Sequence, residues 1–221
     1  LKNPLAVMRG YTTMLPMAGG LSSDQERYVN KIEVSINRME QLVTDLLDLG
    51  RIEAGVGLQM EEFAVEPFLE DIATHHWQHA HLEGLKIEVE MPKNFPTIVG
   101  DRTLIQQAIF NLLINAIKYA SNSGSVKLRA EANKQEMIFN VQDFGPGIPP
   151  ENQIRLFEKF YRVKQKGEER KNGSGLGLAI VTSIGERHGG RAWCKSQPGI
   201  GMTFFFSIPL LPQQKETGTA A

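Results

Sequence analysis

From Tyr28 to Leu49 the chain repeats with alternating steps of four and three: Tyr28, Ile32, Ser35, Met39, Leu42, Leu46, Leu49. This is the a/d spacing of a coiled coil, with Ser35 occupying one apolar slot. Val29, Ile36, Val43 and Leu47 widen the stripe. Upstream, Met17-Ala18-Gly19-Gly20 follows Pro16 and marks a turn, so residues 1–54 read as a two-helix hairpin. Ser22, Ser23 and Asp24 offer an N-cap for the second helix, and Glu26, three residues after Ser23, completes a capping box. A stripe this broad needs more partners than one short helix supplies. Two hairpins packed as a four-helix dimer would bury it. The alternative is a single hairpin capped by the rest of the chain.

The segment Gly50–Gly57 (GRIEAGVG) reads as a hinge, and beyond it the pattern becomes mixed. Residues 58–63 read as a strand and 65–82 as a helix. Lys86-Ile87-Glu88-Val89-Glu90 alternates with period two, as a half-buried strand does. A short strand at 97–99 precedes a strongly apolar helix at 102–119. Two strands near 125–132 and 136–142 form a hairpin. About thirty irregular residues follow, then a helix near 176–188 and strands near 191–196 and 202–209. The expected class is α+β: the helical hairpin, then an α/β sandwich over 57–211 with helices on one face of a mixed sheet. Residues 212–221 are polar and read as a frayed tail.

Composition changes this picture little. With 221 residues and 41% hydrophobic content the chain can bury a sizeable core. A net charge of −1 gives no electrostatic case for broad nucleic-acid binding. One cysteine, Cys194, excludes an internal disulfide and fits a reducing, cytoplasmic setting. No apolar run approaches the roughly 18 residues of a membrane span, so any membrane attachment of the parent protein falls to an upstream segment.

Four stretches carry candidate chemistry. On the helix at 102–119, Asn111, Asn115 and Lys118 share one face. An amide oxygen can ligate Mg²⁺ without adding negative charge near phosphates, and a lysine can pair with a phosphate; the same face could also be a plain solvated edge. DFGPGIPP (143–150) ends a strand on a carboxylate and then turns on two glycines; a simple strand-to-loop turn has the same look. Its Asp-Phe-Gly also occurs in eukaryotic-type protein kinases, but neither a His-Arg-Asp loop nor a Val-Ala-Ile-Lys strand accompanies it. NGSGLGLAIV (172–181) places Gly173, Gly175 and Gly177 at the opening of an apolar helix, where bare N–H groups make an anion site. The spacing is G-x-G-x-G after charged loop, which argues against a dinucleotide fold, and no Walker P-loop occurs. PGIGMTFFFSIPL (198–210) is a glycine turn into a strand.

In order, these are an Asn helix, Asp-x-Gly-x-Gly, a Phe-bearing loop (LFEKFYR, 156–162), Gly-x-Gly-x-Gly and Gly-x-Gly-x-Thr. The set resembles the N, G1, F, G2 and G3 boxes of the ATP-binding domain of sensor histidine kinases, in the superfamily shared with gyrase and mismatch-repair ATPases. The opening LKNPL resembles the H-box of the same family, His-Glu-Leu-Lys-Asn/Thr-Pro-Leu.

The resemblance implies a protein-histidine kinase that binds ATP and Mg²⁺. Asp143 would accept a hydrogen bond from the adenine amino group. Asn115 would ligate Mg²⁺. Lys118 and Arg162 would neutralise phosphate charge, and Tyr119 would line the pocket. Gly173, Ser174, Gly175, Leu176, Gly177 and Leu178 would wrap the triphosphate with main-chain N–H groups. Gly145, Gly147, Ile148, Phe160 and Lys164 would complete the nucleotide site, with Thr203 on its floor near Asp143. Hydrolytic relatives carry a Glu base where this chain has Asn111, which cannot take a proton from water, so hydrolysis should be slow. The acceptor histidine belongs two positions before Leu1. The first histidine here is His75, so autophosphorylation is not expected of these 221 residues alone. Asn3, four residues after the acceptor position, matches the residue that positions water in response-regulator dephosphorylation. The implied partners are a second copy, through the hairpin, and the receiver domain of a response regulator.

Residues 144–174 form an expected lid carrying Lys159, Arg162, Lys164, Lys166, Arg170 and Lys171. His75, His76, His79 and His81 invite a metal reading, but no H-E-x-x-H pattern or nearby third ligand supports it. Two rival functions stand beside the kinase: a nucleotide-binding or dimerisation module without activity, and a hydrolytic ATPase.

Overall fold

The computed structural model describes residues 2–55, 57–92, 95–120, 124–163 and 173–210. Its contacts define two units, residues 1–56 with 158–180, and residues 57–157 with 181–221.

In the first unit α1 (Lys2–Met14) leads through a short 3₁₀ turn (Leu15–Met17) and a bend to α2 (Ser23–Glu53). The N-cap of α2 is Ser22, not Ser23. Ser22 Oγ accepts from Gln25 N and Gln25 Oε1 accepts from Ser22 N, so the capping box forms one residue earlier than expected. Both registers satisfy the sequence rule. Gly50 is not part of a hinge: α2 runs through it to Glu53, and the left-handed residue that ends the helix is Gly55 at φ 73°. The broad stripe of α2 divides. Val29 and Ile36 are buried, whereas Tyr28, Ile32, Met39, Leu46 and Leu47 are exposed. Arg9 Nη2 ties the two helices at 2.5 Å to Asn37 Oδ1 and 2.5 Å to Glu40 Oε2.

The second unit holds β1 (Met60–Ala64), α3 (Val65–Leu82), β2 (Lys86–Glu90), β3 (Thr97–Asp101), α4 (Arg102–Tyr119), β4 (Ser125–Ala132), β5 (Glu136–Asp143) and the one-turn α5 (Pro150–Gln153). β6 (Arg191–Gln197) and β7 (Gly201–Pro209) complete it, and α6 (Gly177–Arg187) passes from the first unit into the second. β1 pairs with β3, and a five-stranded sheet runs in the order β2-β4-β5-β7-β6, parallel only at β2/β4. α3 and α4 pack on this sheet, so the α+β class holds.

Strand alternation sends Val126, Leu128 and Ala130 of β4, Met137, Phe139 and Val141 of β5, and Phe204, Phe206 and Ile208 of β7 into one buried layer. Phe139 and Phe206 stack at 5.6 Å. α4 supplies Ile105, Ala108, Ile109, Leu112, Leu113 and Ala116, all fully buried. It starts where Asp101 Oδ1 caps Leu104 N; Asp101 Oδ2 also accepts from Gln59 N, and Asp101 N donates to His188 Nε2.

Candidate functional site

After α4 has filled the core, one line on its surface stays half-buried: Leu104, Gln107, Asn111, Ile114, Asn115, Lys118 and Tyr119. Lys118 Nζ lies 4.9 Å from the ring centre of Tyr119. The sheet brings a carboxylate to this helix by simple parity. Met137, Phe139, Val141 and Asp143 alternate along β5, so Asp143 continues the inward row that faces α4 and is 2% exposed. Its Oδ1 accepts from Gly145 N at 2.9 Å.

Gly145 then passes directly beneath the end of α4. A Cβ there would stand 2.1 Å from Tyr119 O, so only glycine fits. Gly147, at φ 65°, would set a Cβ 2.4 Å from Gln197 O, and a Cβ on Gly201 would sit 2.2 Å from Asp143 O. The two glycine turns are thus interlocked. Ser196 fastens them: its Oγ accepts from Ile148 N at 2.8 Å and donates to Gly201 O at 3.0 Å. Gln153 Nε2 donates to Ser196 O, and Gly199 N donates to Pro146 O. Neither Ser196 nor Gln153 belongs to a motif, and no pattern in the sequence singles them out.

Thr203 is a correction. It stands opposite Gln142, on the sheet face away from Asp143, and Met202 is the residue opposite Asp143. A one-residue step along a strand reverses the face, so Thr203 does not floor a pocket beside Asp143.

The remaining predicted residues lie in the first unit. Phe160 N donates to Gly175 O at 2.9 Å. Phe160 has φ 64°, the one described non-glycine residue with positive φ, and Gly175, at φ 74°, would place a Cβ 2.9 Å from the Phe160 backbone. Such backbone strain is characteristic of functional segments. Arg162 Nη1 donates to Gly173 O. Ser174 Oγ accepts from Leu176 N at 3.1 Å at the entry to α6, and donates to Asp45 Oδ2. Gly177 and Leu178 open α6. Asn3 is exposed on α1. Lys164, Lys166, Arg170 and Lys171 fall outside the described residues.

Adenine and phosphate fit these groups chemically: a buried carboxylate for an amino group, amides and a cation in a half-buried line, and glycines where side chains would obstruct. No cluster of three or more His, Cys, Asp or Glu among the described residues could hold a metal. His75, His79 and His81 are exposed, while His76 packs its ring 4.6 Å from Phe110. Burial, then the charges of His75 and His79, lower the pKa of His76. Cys194 is no reactive thiol either, because burial pushes its pKa up to about 11.

Two segments of the chain match known protein families. Residues 100–212 match the family described as "Histidine kinase-, DNA gyrase B-, and HSP90-like ATPase", and residues 1–55 match the "His Kinase A (phospho-acceptor) domain". The chain therefore belongs to the histidine kinase-, gyrase B- and HSP90-like ATPase family and, carrying the phospho-acceptor hairpin ahead of it, is a sensor histidine kinase catalytic core. The sensor-like histidine kinase SenX3 of Mycobacterium bovis is 31% identical over 212 residues, covering 96% of this chain and 52% of the relative. The signal transduction histidine-protein kinase BarA of Escherichia coli is 33% identical over 216 residues, covering 95% and 23%. The crystal structure of full-length ShkA in complex with AMPPNP superposes with a TM-score of 0.75 at 30% identity, covering 94% of this chain and 43% of that one. The chain spans about half the length, or less, of these relatives. Among the described residues no helix is long and apolar enough to cross a membrane.

Proposed function

We propose that residues 57–211 bind Mg-ATP and deliver its γ-phosphoryl to a histidine on the hairpin of residues 1–54, at the family's acceptor position two before Leu1. The observation that carries this reading is the approach of Gly145 to the end of α4, which brings the buried Asp143 carboxylate to the Tyr119 end of the helix that bears Asn111, Asn115 and Lys118. Bound Mg-ATP would supply an electrophilic phosphoryl group, and positioning with charge neutralisation is most of what a protein contributes to such a transfer.

Asp143 selects adenine by accepting from its amino group. Asn115 holds Mg²⁺ through its amide oxygen, and Lys118 and Arg162 offset phosphate charge. Gly173, Ser174, Gly175, Leu176, Gly177 and Leu178 present main-chain N–H groups, with Gly147, Ile148, Phe160 and Lys164 completing the enclosure. Asn111 lacks a basic lone pair for water activation, which preserves ATP for the imidazole. Asn3, exposed on α1, positions water in the reverse, dephosphorylating reaction on a response-regulator receiver domain. The exposed a/d residues of α2 join two copies in a four-helix bundle. Another protein of this fold, the histidine kinase ThkA, has been crystallised in complex with the response regulator protein TrrA.

The test uses the sequence extended upstream through the acceptor and incubated with γ-labelled ATP. Acid-labile, base-stable label is expected, and Asn115→Ala should abolish it. Rapid phosphate release without labelled protein would instead identify a hydrolytic ATPase, and nucleotide binding with neither outcome a non-catalytic module.

A further inference from the structure

α2 has a second face, turned away from its a/d stripe. Val34, Asn37, Arg38 and Gln41 line a shallow cleft together with Gly173 and Ser174 of the G-x-G-x-G loop. One turn further along, Asp45 is buried at 7% exposure. A buried carboxylate requires partners. Its Oδ1 accepts from Gln41 Nε2 at 2.7 Å, and its Oδ2 accepts from Ser174 Oγ. The same hydroxyl accepts from Leu176 N, so one side chain links α2 to the entry of α6. At the end of α2, Glu53 Oε1 pairs with Lys159 Nζ at 2.7 Å, next to Phe160, whose N–H is tied to Gly175 O. The two flanks of the loop region are therefore anchored on the hairpin of their own chain.

The heights of these anchors carry the argument. α1 and α2 are antiparallel, with Arg9 opposite Asn37 and Glu40. Continuing that register at 1.5 Å per residue, the family's acceptor position falls opposite Asp48–Leu49, about one turn beyond Asp45 and one turn short of Glu53. The anchors bracket it. We infer that Asp45, with Glu53, is a positioning residue that docks the nucleotide loop of each chain at the acceptor level of the same chain, so that phosphoryl transfer runs in cis within the dimer. This rests on the kinase reading above. It extends that reading by assigning the direction of transfer and a role to a residue outside every motif.

Two experiments test it. The first needs no activity. Dimers reassembled from ¹⁴N and ¹⁵N chains are treated with a zero-length carbodiimide, and the Glu53–Lys159 cross-linked peptides are weighed. Pairs of one isotope only are expected; mixed-isotope pairs, or no such cross-link in the folded protein, overturn the proposal. The second uses the upstream-extended sequence in heterodimers of wild type with Asn115→Ala. Label confined to the wild-type protomer is expected, and label on the Asn115→Ala protomer overturns cis transfer. Unlabelled wild-type homodimers would instead count against the kinase reading and leave the cross-link result standing. For Asp45 itself, Asp45→Ala should lower kcat for autophosphorylation about tenfold with KM for ATP within twofold. Asp45→Asn, which keeps the shape and an acceptor oxygen, should recover most of that loss. An unchanged kcat in both folded variants, or a loss seen only in KM, overturns the positioning role. Should Asp45→Ala not fold, faster hydrogen exchange at 175–178 in Asp45→Leu, which keeps the size but has no acceptor oxygen, serves as the readout, and unchanged protection there overturns it.

Discussion

α2 and α4 are both rich in apolar residues, yet each leaves a different remainder once its own chain has packed against it. α4 buries seven apolar side chains, Ile105, Ala108, Ile109, Leu112, Leu113, Ala116 and Ile117, and its half-buried surface line carries two amides, Asn111 and Asn115, and Lys118. α2 buries only Val29, Ile36, Leu49 and Ile52 among its apolar residues and leaves Tyr28, Ile32, Met39, Leu46 and Leu47 exposed. The remainder is the informative part. A polar line on an otherwise satisfied helix points to a ligand; an apolar line on an unsatisfied one points to another protein surface.

This contrast can be broken at several points. The largest effect is expected from Leu112→Ala on α4. That side chain is fully buried, so the cavity should destabilise the second unit by about 3 kcal/mol in denaturant unfolding. Asn115→Ala, one turn further along the same helix and only half-buried, should leave that stability within about 0.5 kcal/mol. It should weaken Mg-ATP binding roughly a hundredfold by calorimetry, equivalent to about 2.7 kcal/mol. If instead it unfolds the unit and Leu112→Ala abolishes binding alone, the division between core and site faces on α4 is wrong.

On α2 the same logic gives the reverse result. Met39→Ser with Leu46→Ser should not destabilise an isolated hairpin, since both residues are exposed. It should weaken self-association by about 2 kcal/mol in sedimentation equilibrium, in proportion to the apolar area withdrawn from the seam. Ser22→Ala removes half of the capping box and should cost the hairpin about 1 kcal/mol in thermal unfolding.

The smallest effect concerns pH. Burial and the neighbouring His75 and His79 lower the pKa of His76 in the fold. The unfolded chain therefore takes up this proton more readily, so stability is full above the unfolded pKa of about 6.5. It declines as pH falls from there through the folded value. His76→Gln should flatten that part of a melting-temperature profile. Glu90 behaves alike at lower pH, because hydrogen bonds from Lys127 and then Arg129 lower its pKa. Its contribution is lost as pH falls through the acidic folded value, and its exposure keeps that contribution small.

Local pattern determined much of this protein. The helices Val65–Leu82 and Arg102–Tyr119 and the strands Lys86–Glu90 and Ser125–Ala132 follow directly from apolar periodicity and turn residues, because in each the local preference and the buried face agree. The spacing of Asn111, Asn115, Asp143, Gly145 and Gly147 was legible for a related reason: a carboxylate at a strand end and glycines under a helix end are backbone requirements, and backbone requirements restrict residue type.

Other features were decided only in three dimensions. Ser22–Gln25 and Ser23–Glu26 are equivalent in sequence, and only the folded chain shows that the first pair forms the cap. Gly50 continues a helix that packing on either side sustains. Thr203 and Met202 exchange faces on a single residue of register, which the pairing with Gln142 and Asp143 settles. Asp45 looks like one more polar position on a long helix until a serine 129 residues away in sequence closes onto it. Sequence patterns record what a residue asks of its immediate neighbours; which distant group answers is a property of the folded chain.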